Sequence, residues 1–284
     1  MIFKSYEVKD LRLLYRAFMD AFSTYQVPFK LDFDSFRIRM QCKLNLNHDL
    51  SLLAMEAEDC AGFVLHAVNN YNDKKTAYNG GTGVIPSQRG KQLTYQLYES
   101  LLPVFLRHQI DRVLLEVITT NHAAIKVYEQ LGFGYLQTYK CYRRPDVNDF
   151  YRLPIRGVSI QIVDELDRSK IDSIQDIKPS FIDQPNHIQH NLAYEIILHA
   201  QWQNEWAGYC VFQPHLGRIS LLGVLPKFRN KGIGTQLLKE AWRLSQKKEI
   251  TVINVADSYE PMHDFLLTLG FENQVDQYEM ELVF

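Results

Sequence analysis

The sequence predicts an α/β (α+β) protein built as two tandem copies of one domain. Three observations carry this. Strand-like and helix-like apolar patterns alternate along the 284 residues. A passage of strand, basic loop and helix occurs twice, at residues 84–94 and 224–235. Matched landmarks flank both passages: Ala61-Gly-Phe63 and Ala207-Gly-Tyr209 before, Leu131-Gly-Phe133 and Leu269-Gly-Phe271 after. Pro86 precedes Gly132 by 46 positions and Pro226 precedes Gly270 by 44, so order and spacing are both kept, the mark of an internal duplication. The length suits two ordinary domains, expected at 1–145 and 152–284. The charged, Pro145-containing stretch 143–149 is the expected boundary.

Taken in order, residues 3–8 read as a short strand and Asp10 as the cap of a helix over 11–22. Ala17, Phe18, Ala21, Phe22 and Tyr25 fall on one stripe of that helix, a core-facing pattern. Pro28 and Phe29 lie in a loop, and Asp32 or Asp34 starts a second helix through Met40. Strands follow at 51–57 and 62–69, joined by Glu58-Asp-Cys60; 69–75 is polar loop, and 76–84 is the strand entering the first basic loop. The next helix carries Leu93, Leu97, Leu101 and Leu102, and Pro103 is expected to kink it. A strand at 113–118 holds one acid, Glu116, and a helix at 121–128 and a strand at 135–142 complete the first copy. The second copy reads as strand 158–163, an acid-capped helix 168–177, breaks at Pro179 and Pro185, and a short helix 187–192. Strands 194–201, 208–213 and 219–224 lead into the second basic loop. Helix 235–244, strand 252–255, helix 264–269 and strand 278–283 close the chain.

Composition excludes several classes. Hydrophobic residues at 46% and charged residues at 23% are ordinary for a soluble globular protein. A net charge of −2 supplies no field to gather nucleic acid or an anionic membrane, so neither is an expected partner. Cys42, Cys60, Cys141 and Cys210 are scattered, without a CxxC; they read as reduced thiols in a cytoplasmic protein with no metal site. No apolar run approaches the ~18 residues of a membrane span, and charges interrupt residues 1–10 where a signal core would lie. Neither basic loop ends in Gly-Lys-Ser/Thr, which excludes a P-loop nucleotidase.

The duplicated passage is a place to hold an anion. The first amides of a helix have no internal partners and the helix dipole there favours negative charge. Gly232 and Gly234 let the backbone approach a ligand, and Arg229 and Lys231 add charge. A glycine pair alone is more often plain turn chemistry. Repetition of Val, Pro, Arg and Lys in register at Val84, Pro86, Arg89 and Lys91 is what favours a binding loop. The first copy has Gln92 and Thr94 where the second has its glycines, and its cradle survives if those residues keep ordinary helical backbone.

Val-x-Pro-x-x-Arg-x-x-Gly-x-Gly at 224–234, followed by Leu-Gly-Phe, resembles the GNAT N-acetyltransferase superfamily, and the resemblance covers nearly the whole chain as two copies. Asn121-His-Ala-Ala-Ile-Lys-Val-Tyr128 matches the family's Asn-x-x-Ala-x-x-x-Tyr segment. The resemblance implies, in each copy, a mixed and mostly antiparallel central sheet flanked by helices. It implies acetyl-CoA as donor and a primary amine, small-molecule or peptide, as acceptor by direct attack. The diphosphate of coenzyme A would be received by Arg89, Gly90, Lys91, Gln92, Leu93 and Thr94, with Asn121 nearby, and again by Arg229, Asn230, Lys231, Gly232, Ile233, Gly234 and Thr235. The oxyanion donor would be a main-chain amide near Gly83 and Val84, or near Gly223 and Val224. The family's acid falls on Tyr128 in the first copy and on Leu266, which has no proton to give, in the second. A tyrosine, with a reference pKa near ~10, is protonated at neutral pH, as a donor must be.

Glu116 is the candidate base, directly or through water; a strand-end acid or an arginine partner is the alternative, and the second copy has Asn254 there. By the same resemblance the first two helices line the acceptor groove, with Tyr25, Phe29 and Phe36 as substrate contacts. His66, His122 and His199 are given no role. Chemistry is expected in the first copy, with the second as another cofactor site or a structural partner. The competing reading is a tandem acetyl-CoA sensor or scaffold without turnover.

Overall fold

Repetition in the sequence becomes repetition of strand order. The computed structural model describes residues 1–24, 31–145, 156–174 and 176–284. The chain divides into two units: Met1–Gln137 with Tyr278–Phe284, and Thr138–Gln277. In unit 1 the elements are β1 (Ile2–Ser5), α1 (Leu11–Ala21), α2 (Phe33–Arg37), β2 (Leu52–Glu56), β3 (Asp59–Tyr71), β4 (Lys74–Val84), α3 (Leu93–Arg107), β5 (Arg112–Ile118) and α4 (His122–Gln130). The chain then enters β6 (Gly134–Arg144), whose later residues belong to unit 2. Unit 2 continues with β7 (Val158–Val163), α5 (Arg168–Asp172), α6 (Pro185–His190), β8 (Ile196–Trp202), β9 (Glu205–Gln213), β10 (Arg218–Val224), α7 (Ile233–Leu244), β11 (Ile250–Ala256) and α8 (Glu260–Thr268). Last comes β12 (Glu272–Val283), which starts in unit 2 and ends in unit 1.

Unit 1 has strand order β1-β2-β3-β4-β5-β12-β6, with β4 and β5 parallel and the β1–β4 neighbours antiparallel. Unit 2 mirrors it as β7-β8-β9-β10-β11-β6-β12, with β10 and β11 parallel and the other registered pairs antiparallel. The mixed, mostly antiparallel sheet flanked by helices is therefore present in each. Along the chain the two units part at 137/138 and 277/278. Arg143 and Arg144 are in β6, paired with Thr251 and Ile250, and residues 146–149 lie outside the described residues. Burial explains the exchange: Met280 with Tyr278 and Leu282 fills the core of unit 1, whereas Tyr142 fills that of unit 2.

Helices cover both faces of β4, because alternate strand residues point to opposite sides. On one face α1 buries Leu14, Ala17, Phe18 and Ala21, and Phe18 stacks on Phe63 of β3. On the other, α3 buries Leu93, Leu97, Leu101 and Phe105 at four-residue spacing, each such side chain stabilising by roughly 1.5–3 kcal/mol. α3 runs through Pro103, which is exposed on the outer face. Residues 69–75 are strand and hairpin tip rather than loop, because Asn72 and Asp73, both at positive φ (53° and 60°), form the tight turn that antiparallel twist favours. Asp32 caps α2 through Ser35 N–H at 2.7 Å, and the helix continues as a π-helical turn over Ile38–Lys43. In unit 2, α5 and α6 end earlier than expected, and α8 begins earlier, at Glu260.

Candidate active site

The two basic loops fold alike. Pro86–Gln88 and Pro226–Phe228 each make one 3-10 turn after the strand ends. Two left-handed residues then turn the chain into the helix: Gly90 (φ +77°) and Gln92 (φ +56°) in unit 1, Asn230 (φ +60°) and Gly232 (φ +78°) in unit 2. The condition that Gln92 keep ordinary helical backbone is not met: it takes the left-handed conformation that Gly232 takes without a Cβ penalty, so the loop enters its helix along the same path in both units. No side chain caps the first turn of α3 or α7, so both helix starts keep their amides for another acceptor. Leu93 and Ile233 are buried in the core, and only their backbones face the loop. Thr94 is the second residue of α3, whereas Gly234 is a packing glycine: a Cβ there would meet the Phe265 ring at 3.0 Å.

The loop arginines hold the loop through their own hydrogen bonds. Arg89 donates to Val84 O (3.3 Å), Ala21 O (2.8 Å) and Thr24 Oγ1 (3.0 Å), tying the loop to the end of α1. Arg229 donates to Val224 O (3.0 Å) and pairs with Asp176 (2.9 Å). Lys91 is held by Gln88 Oε1 at 2.7 Å, and Lys231 lies over the Trp202 ring.

Beside the first loop the sheet opens. β4 and β5 pair only over Thr76–Tyr78, and Gly80 is a bulge where the register on β3 shifts. From there β4 follows β3 to Val84 and leaves β5. A cleft of about 910 Å³ lies at this parting, with Thr82, Gly83 and Val84 on one wall and Thr120, Asn121 and Tyr128 on the other. Gly90, Gln92 and Thr94 form its loop end. Gly83 has no room for a side chain, since a Cβ would meet Phe63 at 2.6 Å and Ala21 at 2.9 Å. Its backbone therefore forms the wall. Asn121 caps α4 by accepting Ala124 N–H, and Tyr128 is 8% exposed, its ring edge-on to Tyr98 and Phe133.

Other predicted residues lie elsewhere. Phe36 is completely buried against Tyr15 and Phe18, which makes it core rather than a groove contact. Tyr25 and Phe29 are outside the described residues. Glu116, half-buried on β5, accepts a hydrogen bond from Tyr78. Sequence reading missed Asn79 and Tyr98, which meet behind Thr82: Asn79 Nδ2 donates to Thr82 Oγ1 and Tyr98 Oη, both at 2.7 Å. Burial, with Tyr128 close by, holds the Tyr98 hydroxyl well above the usual tyrosine range.

In unit 2 the pairing of β10 and β11 is shorter still, Arg218–Ile219, and Ser220 is the bulge. Gly223 lies against Tyr209 and Ile174. The surroundings differ. Tyr259, at the position of Asn121, donates to Asp176 at 2.6 Å, so one carboxylate joins the loop arginine to the start of α8. Hydrogen bonds from Arg229 and then Tyr259 hold Asp176 below its ordinary range, and burial followed by the Asp176 bond raises Tyr259 to about 12. Leu266, at the position of Tyr128, is completely buried. Among the described residues no helix is long and apolar enough to cross a membrane, and no group of three or more His, Cys, Asp or Glu could hold a metal.

The model of the acetyltransferase (GNAT) family matches residues 11–133 and 161–271. No curated protein sequence matches the chain significantly. Among solved structures, a tandem GNAT protein from the clavulanic acid biosynthesis pathway is similar at a TM-score of 0.76 and 13% identity, covering 99% of this chain and 98% of that one. A GCN5-related N-acetyltransferase from Sphaerobacter thermophilus is similar at 0.73 and 16% identity, covering 99% and 95%. At such identities the likeness is one of fold.

Proposed function

The chain belongs to the acetyltransferase (GNAT) family, and from that premise we propose that unit 1 moves an acetyl group from acetyl-CoA to a primary amine. The observation that carries this reading is the cleft of about 910 Å³ in which the parted edge of β4, the start of α3 and Tyr128 share one space. These residues fit a diphosphate-bearing thioester. Gly90 has nothing within 4 Å of where a Cβ would stand, so its backbone is open to a ligand, and the uncapped first turn of α3 points amides at the same end. Acetyl-CoA would supply an activated acyl carbon and a thiolate leaving group.

The chain's own residues then have distinct tasks. Amides of the loop and of the first turn of α3 receive the diphosphate. A main-chain N–H near Gly83 and Val84 donates to the acyl oxygen as negative charge develops on it. Tyr128 gives its proton to the departing sulfur. The amine nitrogen gains a bond to the acyl carbon, the carbon–sulfur bond breaks, and the proton lost by nitrogen replaces the one Tyr128 gave. Glu116 is already bonded to Tyr78 and is assigned no step.

Unit 2 is assigned no transfer. Leu266 cannot donate a proton, and Asp176 sets a carboxylate against the loop arginine, where it opposes a diphosphate. Titration of the chain with CoA by calorimetry, together with thiol release from acetyl-CoA across a panel of primary amines, tests the reading. One equivalent of CoA and amine-dependent thiol release are expected. Binding without release across the panel would replace the transferase with a sensor.

A further inference from the structure

The hydrogen bonds behind Thr82 leave its own hydrogen unused, and Thr82 lines the cleft. Asn79 is 7% exposed and sits next to the Gly80 bulge of β4. Its Oδ1 accepts Gly81 N–H at 3.0 Å. A backbone N–H can only donate, so the amide oxygen is fixed on that side and the amide nitrogen faces the two hydroxyls. Both amide hydrogens are then in use, one to Thr82 Oγ1 and one to Tyr98 Oη. Tyr98 is completely buried. Each hydroxyl oxygen thus accepts from Asn79 and keeps its own hydrogen. The Thr82 hydrogen is therefore turned away from Asn79. Thr82 is the member that lines the cleft, on the α3 side of the sheet and next to Gly83 and Val84.

Resting on the reading of unit 1 as the transferase site, we propose that Thr82 is a further catalytic residue whose hydroxyl donates to the acyl carbonyl oxygen, and that Asn79 is the positioning residue that forces this direction. The main-chain donors of β4 act beside it. Tyr98 accepts the other amide hydrogen of Asn79 from behind, and burial keeps its hydroxyl neutral. Unit 2 supplies an independent observation. In register, Asn79, Thr82 and Tyr98 become Ile219, Leu222 and Leu238, so the whole donor ring is missing from the copy that also lacks the acid. A ring needed only to hold the bulge would have been needed there too, since β10 bulges at the matching place.

The contact can be read without turnover by titrating the full chain with acetyl-CoA and with CoA in the absence of amine. The wild-type chain should prefer acetyl-CoA. Thr82→Val and Asn79→Asp should each cut that preference roughly three- to tenfold while CoA affinity stays within about twofold. Asn79→Asp keeps the acceptor for Gly81 but turns the donor side into an acceptor, which draws the Thr82 hydrogen back from the cleft. Thr82→Ser should restore the preference, which a purely steric role for the methyl group would not allow. An unchanged preference in Thr82→Val overturns the proposal, whether or not Asn79→Asp folds. If the wild-type chain releases thiol and Tyr128→Phe does not, while Thr82→Val behaves as wild type, this inference alone falls. If the wild-type chain binds neither compound, the transferase reading falls and takes this one with it.

Discussion

The two units hold the same backbone device and opposite side chains around it. Each has a bulged strand leaving its parallel neighbour, a 3-10 turn, two left-handed residues and an uncapped helix start. In unit 1 that device opens onto Asn79, Thr82, Tyr98 and Tyr128; in unit 2 it meets Ile219, Leu222, Leu238 and Leu266, with Asp176 bound to the loop arginine. The lesson is that the loop motif reports a fold, whereas the hydroxyls around it report chemistry. The better glycine pattern is in the copy with fewer donors.

The largest expected effect tests that contrast directly. Tyr128→Phe should lower turnover by roughly 10²-fold or more with CoA affinity nearly unchanged, whereas Leu266→Tyr should leave turnover within about twofold. Steady-state thiol release and calorimetry read both, and a reversed order would exchange the roles of the units. Packing gives the next effect. Gly83→Val forces side-chain atoms into Phe63 and Ala21 and should cost about 1–3 kcal/mol in denaturant unfolding. Gly90→Ala meets open space and should pay only its left-handed backbone strain, about 1–2 kcal/mol.

The left-handed positions sharpen the comparison further. Gln92→Gly should stabilise the chain by up to about 1 kcal/mol, because relief of strain exceeds the added freedom of the unfolded chain. Gly232→Gln should shift the denaturant midpoint the other way. The smallest effect is in acid. Hydrogen bonds from Arg229 and Tyr259 lower the Asp176 pKa in the folded state, so the stability they confer is present above the unfolded pKa of 3.8 and lost as pH falls through the folded value. Half-exposure of the pair keeps the term small. Acid unfolding of Asp176→Asn should lack this component and be otherwise unchanged.

Much of this was legible in the residues. Landmarks such as Pro86, Pro226 and the two Leu-Gly-Phe segments are local, and local geometry forces them: a proline ends a strand and a glycine turns a helix end wherever they occur. Tyr128 could be placed by its distance from Gly132 along one helix and turn. Other features were not legible because distant residues set them. Phe36 looks like a groove aromatic until Tyr15 and Phe18 are seen to enclose it. That Arg89 also ties its loop to Ala21 O and Thr24 of the first helix is visible only in the fold.

Left to itself, the amino-acid order determined the duplication, the helix-start loops and the absence of an acid at Leu266, since each depends on residues near one another in the chain. Tertiary structure alone decided that Met280 completes the core of unit 1, that Asn79 and Tyr98 meet behind Thr82, and that Tyr259 ties Asp176 to α8. Those contacts join residues separated by tens to hundreds of positions. Short-range propensity cannot encode such meetings; strand pairing and core packing create them only after the backbone has closed.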